Sequence, residues 1–240
     1  MKVNKSPFPY NMIEKMMPSF GRIAMMGWMI VLIAVLVGIF VLGPAQATFF
    51  SDAKAVREGA AAGSAFVQAN VSRHIAEAWV PQFKFFGLGL GLMAIVMALG
   101  TIAQKLREMG IVITNHMPKD LRSSVPAPPK TVRVFQLSTL MGVMILMGVL
   151  VIGIVLATGV VPSYWNHSIA SELNPAVVGS TLLTQLGVVA SFSKWLNPLR
   201  LFGMAFLFTG ITLALTVIIG TLRLQAGLLV KFYQQATTKG

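Results

Sequence analysis

The chain has 240 residues, 55% of them hydrophobic and 11% charged, with a mean hydropathy of +0.76 and a net charge of +12. Water-soluble domains carry roughly 25% charged residues, so these proportions exclude an ordinary soluble globule and point to lipid as the solvent. Without cysteine there are no disulfides, thiolate zinc sites, iron–sulfur clusters or thioether-linked haem.

In chain order, Met12, Ile13, Met16 and Met17 make a short apolar patch beside Lys15 and before Pro18. That pattern suits a segment lying on a membrane surface and feeding a first span. Four charge-free windows follow, between Arg22 and Asp52, Lys84 and Lys105, Arg133 and Glu172, and Arg200 and Arg223. A bilayer core needs about 20 helical residues, and the windows predict spans over 23–42, 85–103, 137–161 and 201–222. Ala45-Gln46-Ala47 mimics a signal-peptidase site. The apolar run before it exceeds the roughly 7–15 residues of a signal h-region, so an uncleaved helix is expected.

Thirteen of the nineteen basic residues fall in the N-terminal tail, the central loop and the C-terminal tail. The positive-inside rule then puts both termini in the cytoplasm, in a plasma or inner membrane. The dispersed excess of Lys and Arg suits anionic lipid headgroups rather than nucleic acid. Trp79, Trp165, Trp195 and Tyr164 flank span ends and are expected to form an interfacial belt.

Shifting the chain by 116 positions aligns residues 25–107 with 141–223 at 15 identities. They include Trp79 with Trp195, Gly87 with Gly203 and Leu106-Arg107 with Leu222-Arg223. The expected fold is therefore an all-α integral membrane protein, with four transmembrane helices arranged as two tandem parallel helical-hairpin repeats. The repeats would occupy 1–122 and 131–240, joined by a Pro-rich linker at 123–130.

Each repeat has a segment on its outer side. Residues 52–79 read as an amphipathic helix, with Val56, Ala60, Gly63, Val67, Val71, Ile75 and Ala78 on one stripe. The counterpart, 169–195, carries no charge from Leu173 to Ser193, and Asn174-Pro175 would begin a helix there. It is expected to lie at the surface or re-enter shallowly, with its apolar side covered by protein. Beyond Arg223, Leu224, Leu228, Leu229 and Phe232 keep helical spacing, so the last helix should extend into the cytoplasm.

Chemistry-bearing residues are sparse. No ionisable side chain sits within a predicted span, which counts against proton relays and ion pumps, and no nucleophile or carboxylate pair suggests an enzyme. No cofactor is expected. His74 and His167 share the outer side and, with Asp52, Glu58 or Glu172, are the candidates for a copper or zinc site, although their spacing matches no metal motif. Gly87, Gly91, Ala94 and Ala98 form a small-residue face of the kind that lets helices approach closely. With Leu182 and Leu186 of the uncharged outer segment they are the expected partner-packing residues. Charge introduced at Leu182 or Leu186 should then matter more than at Ala65 or Ala69. The fifteen methionines suit adaptable packing. Asn70-Val71-Ser72 and Asn166-His167-Ser168 fit the glycosylation pattern by chance.

Together these features predict a non-catalytic membrane subunit that scaffolds or stabilises a complex with other integral membrane subunits. The alternative is a channel or carrier for a small neutral or lipid-like molecule, with Thr101, Gln104, Thr209, Thr212 and Thr216 as its few polar candidates.

Overall fold

The computed structural model describes residues 16–116, 130–173 and 180–238. The linker 123–130, apart from Lys130, lies outside them, as do Met12, Ile13 and the Asn174-Pro175 pair. Among the described residues every regular element is helical. We number them α1 (Met17–Phe49), α2 (Lys54–Glu58), α3 (Ala65–His116), α4 (Thr131–Thr158), α5 (Val160–Trp165), α6 (Ile169–Leu173) and α7 (Ser180–Thr238).

Four helices are long and apolar enough to cross a membrane: Met17–Phe49, Ala65–Asn115, Thr131–Trp165 and Thr181–Gln234. Each contains one of the spans predicted over 23–42, 85–103, 137–161 and 201–222. α1 begins with a 3-10 turn at Met17–Ser19 and widens to π-helical geometry at Gly38–Leu42, where the Gly43 N–H reaches back to the Gly38 carbonyl. Pro44 follows immediately. It has no N–H and its ring collides with the preceding turn, so the wider register accommodates it.

The outer segments differ from expectation. Residues 52–79 are not one surface helix. After α2 the chain turns, Gly63 adopts the left-handed φ of +80° that a glycine tolerates, and α3 then runs without a break through Pro81 into the second apolar window. In the same way α7 begins at Ser180 and continues through Pro198 to Thr238, so among the described residues of the 169–195 segment only Ile169–Leu173 forms a separate helix. α3 and α7 have 52 and 59 residues. At about 1.5 Å per residue each is more than twice the roughly 30 Å of a hydrocarbon core. Each therefore extends well beyond its own charge-free window. α7 continues past Arg223 as its spacing predicts.

Packing divides the chain into two compact units. The first draws on the described residues of Met1–Ala24, Gly91–Gly142 and Ala205–Gly240, the second on Met25–Leu90 and Val143–Met204. The first has a core of Met17, Val96, Phe135, Ala214 and Val217. Hydrogen bonds help tie its helices together: the Ser138 hydroxyl donates to the Phe206 carbonyl at 2.7 Å, and Gln225 Nε2 donates to the Leu106 carbonyl. Gly210 leaves room for the Thr139 hydroxyl, which would stand 2.7 Å from an added Cβ.

Among the described residues the second unit has buried clusters centred on Val67 and Phe49, on Val149 and Leu196, and on Ala34 and Val80. Two close helix contacts in it recur at the offset found in the sequence. A Cβ on Gly87 would stand 2.9 Å from Ile30 Cγ2, and one on Gly203 would stand 3.0 Å from Leu146. Both members of the first pair, moved by 116 positions, give the second.

Candidate functional site

The second unit has one end rich in polar side chains, supplied by α2, the first turns of α3, α5 and α6. Phe49 and Phe50 meet edge to face at 5.0 Å between centroids. The Arg57 guanidinium lies 5.0 and 4.9 Å from their rings, and that of Arg73 lies 4.7 and 5.6 Å away. Two cations thus rest on one aromatic pair, which stabilises them where water is scarce.

Arg73 also organises the first turns of α3. It donates to Asn70 Oδ1 at 3.1 Å and to His74 Nε2 at 2.9 Å, and its Nε stands 3.8 Å from Glu77 Oε1. Arginine can only donate, so His74 Nε2 must be the bare nitrogen and Nδ1 must carry the proton. That N–H faces Glu77 Oε2 at 3.2 Å. The His74 ring stacks on Trp165 at 3.6 Å between centroids, 10° from parallel.

One step further, Asn70 is buried and its Nδ2 donates to Glu172 Oε2 at 3.2 Å. Glu172 Oε1 is buried without a partner. Burial pushes this carboxyl from its ordinary 4.5 up to about 8, against the opposing pull of Arg73. Tyr164 donates to the Glu172 carbonyl at 3.4 Å, and Gln68 reaches Asn166 at 3.2 Å. The cluster thus fastens α3 to a segment about a hundred residues away in sequence.

These contacts change several expectations. His74 uses both ring nitrogens, and its lone pair faces a guanidinium, so it offers no electron pair to a metal. His167 Nδ1 stands 3.1 Å from the Tyr164 carbonyl. No group of three or more metal-ligating side chains occurs among the described residues. Tyr164 and Trp165 pack into this cluster, whereas Trp195 is 73% exposed. Asn70 is too buried to carry a glycan.

Next to the cluster lies a cavity of about 190 Å³. Its polar rim includes His74, Glu77 and Arg200, and its walls include Pro81, Leu156 and Leu196. Arg200 donates to the Leu196 carbonyl at 3.3 Å and to Asn197 Oδ1 at 2.9 Å, and covers the Phe85 ring at 4.9 Å. Gln82, only 4% exposed, donates from Nε2 to the Ala78 carbonyl at 2.7 Å, while its Oε1 is buried without a partner. Trp165 Nε1 is likewise buried and unpartnered. Sequence reading missed Gln82. The available signal was a polar amide beside an apolar window, with Gly153 free to face it. A Cβ on Gly153 would stand 2.6 Å from Gln82 Cγ. A second cavity of about 220 Å³, in the first unit, is lined by residues that include Met17, Gln104, Arg107 and Gln136.

The expected partner-packing residues are dispersed. Gly87 is filled by this chain's own Gly27, Ile30 and Val31, and Ala94 is buried. Gly91 and Ala98 are half-buried, and Gly91 has open space around it. Leu182 is buried and Leu186 half-buried. Ala69 is buried too, so the contrast expected between Leu182 and Ala69 has no basis in exposure.

The polar candidates for a transport path point elsewhere. Thr101, Thr209, Thr212 and Thr216 each donate to the carbonyl four residues earlier in their own helix. Thr209, Thr212 and Thr216 are exposed on α7, and Gln104, also exposed, borders the second cavity.

Compared with known protein families, curated proteins and solved structures, the chain matches none.

Proposed function

We propose that this chain is a multi-pass membrane subunit without catalytic chemistry, which holds a larger membrane assembly together by helix–helix packing. One observation carries the reading. Ala205, Thr209, Thr212, Thr216 and Gly220 are all exposed, and at about 100° per residue they fall within one narrow arc of α7. The opposite face spends Gly203 and Gly210 on contacts within the chain. Lipid gives no hydrophobic drive for helices to associate, so small side chains favour a close neighbouring helix through dispersion and backbone approach. Bulky residues serve lipid better, and α1 offers those: Met25, Met26, Trp28 and Phe40 are all more than half exposed.

In this reading both termini are cytoplasmic in a plasma or inner membrane, where the basic excess meets anionic lipid. The two halves are tandem helical hairpins. The paired contacts Gly87–Ile30 and Gly203–Leu146 support that duplication.

Native mass measurement after gentle extraction from the source membrane tests the proposal. The wild-type chain should travel in a species well above its own 25.8 kDa. Replacing Thr212 and Thr216 together with leucine should release it, with helix content unchanged, because the added bulk holds the neighbouring helix away. A wild-type chain that is monomeric under these conditions overturns the reading.

A further inference from the structure

We infer that the cavity in the first unit is a seat for the phosphate head of an anionic phospholipid, held by Arg107 and Gln136. The inference rests on the reading of the chain as membrane-spanning and is independent of how α7 packs against other subunits. Place comes first. Three helices bound the cavity, and each meets it where its apolar window gives way to charge. On α3, Gln104 and Arg107 stand at the rim, beside Lys105, which closes the second window. On α4, Phe135 and Gln136 follow Arg133, which opens the third; on α7, Val217 and Thr221 precede Arg223, which closes the fourth. That is the depth at which lipid phosphates lie. The two segments that supply this end, 104–136 and 221–240, carry nine basic residues against two acidic ones, so the field there favours an anion.

The lining then selects the ligand. Among the described residues no carboxylate lines the cavity, and Arg107 is its one charged group, which disfavours a cation. A guanidinium has five N–H donors in a planar fork, so Arg107 can keep other contacts and still hold two phosphate oxygens. Gln136 is only 2% exposed and makes no hydrogen bond to the described residues. Its amide atoms nevertheless keep accessible surface, unlike the sealed Oε1 of Gln82, and the residue lines the cavity. A buried donor of this kind costs free energy until an acceptor reaches it, and a phosphate oxygen is an acceptor. The choline of a phosphatidylcholine would bring a second cation beside Arg107; the glycerol of a phosphatidylglycerol does not.

The apolar part of the lining suits the rest of the head group. Met17, Phe135 and Val217 belong to the buried core of this unit. Gly100 lets Met17 pack against α3 there, since a Cβ on it would stand 3.0 Å from Met17 Cε. Next to Arg107, the Leu106 carbonyl accepts from Gln225 Nε2, which fixes α7 against α3 beside the rim. The walls are therefore preset, which lowers the entropy lost on binding. A cavity of about 150 Å³ accepts benzene, so about 220 Å³ admits a phosphate ester with its glycerol carbons and leaves the acyl chains outside, in lipid.

The test reconstitutes the full chain in nanodiscs of equal phosphatidylcholine and phosphatidylglycerol, extracts it gently and identifies the retained lipid by native mass measurement. A single phosphatidylglycerol should stay with the chain in preference to phosphatidylcholine. Arg107→Gln should lower that retention about tenfold, the scale of a charged hydrogen bond. Gln136→Leu keeps the bulk, removes the donor and should lower it about fivefold. Lys231→Gln removes an exposed charge from α7 outside the cavity and should leave retention unchanged, which separates a built site from general attraction to a basic surface. In phosphatidylcholine alone the Gln136→Leu chain should melt no lower than wild type, because an unpaired buried amide is gone; that readout separates lost binding from lost folding. The retained lipid should also survive an excess of glycerol phosphate. Its displacement would assign the site to a free anion and overturn the lipid assignment. Equal losses from Arg107→Gln and Lys231→Gln overturn the inference as well. Release of the chain from vesicles by alkaline carbonate would overturn the membrane reading and this inference with it, whereas a chain that stays in the vesicle and selects no phosphatidylglycerol overturns the inference alone.

Discussion

Replacing Gly87 with alanine is expected to destabilise the protein by about 1–3 kcal/mol, and with leucine by more, because a side chain there must displace backbone. An added Cβ would stand 2.9 Å from three atoms of α1 at once: the Gly27 carbonyl oxygen, Ile30 Cγ2 and Val31 Cγ2. A flexible side-chain end could swing aside, but a helical carbonyl cannot without moving its turn. The helix would part from α1 along this contact, losing the dispersion that close approach supplies. Gly91, one turn further along α3, is the matched control. Nothing lies within 4 Å of a Cβ built on it, so Gly91→Ala should be neutral or stabilising by up to about 1 kcal/mol through helix propensity. Unfolding in mixed micelles with rising dodecyl sulfate, followed by circular dichroism, measures both. A Gly87→Ala chain as stable as Gly91→Ala would mean that α1 does not pack at this position.

The same pair of glycines shows what the sequence makes legible. Small residues at Gly87, Gly91, Ala94 and Ala98 announce a close helix contact, but not whose helix fills it. Gly87 meets the chain's own α1, and Gly91 meets nothing. Charge-free windows locate the apolar stretches, because the cost of desolvating an ionised group in lipid keeps such groups out. They do not locate helix ends. Arg73, Glu77 and Lys84 interrupt the apolar pattern of α3, and Pro81 and Pro198 look like breaks, yet backbone hydrogen bonding carries both helices straight past them. Periodicity reports which solvent a face meets, not where a helix stops.

The candidate site was the least legible part. Asn70 and Glu172 stand 102 residues apart, and no local spacing relates them. His74 was visible as a possible ligand, but its role follows from Arg73 and Trp165, which reach it through tertiary packing. Gln82 and Gly153 carry a signal only as a pair: a polar side chain at the edge of one window and a gap in another. Either alone is unremarkable in an apolar helix.

Acidity should act on this end of the molecule in the direction opposite to ordinary acid denaturation. Glu172 has its folded pKa raised from 4.5 to about 8 by burial. Between those two values the folded chain holds a proton that the unfolded chain has released, so each rise in pH favours unfolding. The contribution is complete below about 4.5 and is lost as pH climbs through about 8. Arg73 opposes the shift, and the charges of α2 (Lys54, Arg57 and Glu58) lie on an element packed against α6, so the slope should be shallower than for an isolated buried acid. Ionised Glu172 would leave Oε1 charged, buried and unpartnered, which loosens the link from Asn70 to α6. Melting midpoints in detergent at pH 5, 7 and 9 should therefore fall across the series for the wild-type chain. They should fall less for Glu172→Gln, which keeps an oxygen for Asn70 and cannot ionise. Amide exchange in Ile169–Leu173 should quicken over the same range in the wild type alone, after correction for the intrinsic pH dependence of exchange. Identical pH profiles for the two chains would show that Glu172 ionises freely in the folded protein, and that the Asn70 contact is too open to water to hold its proton.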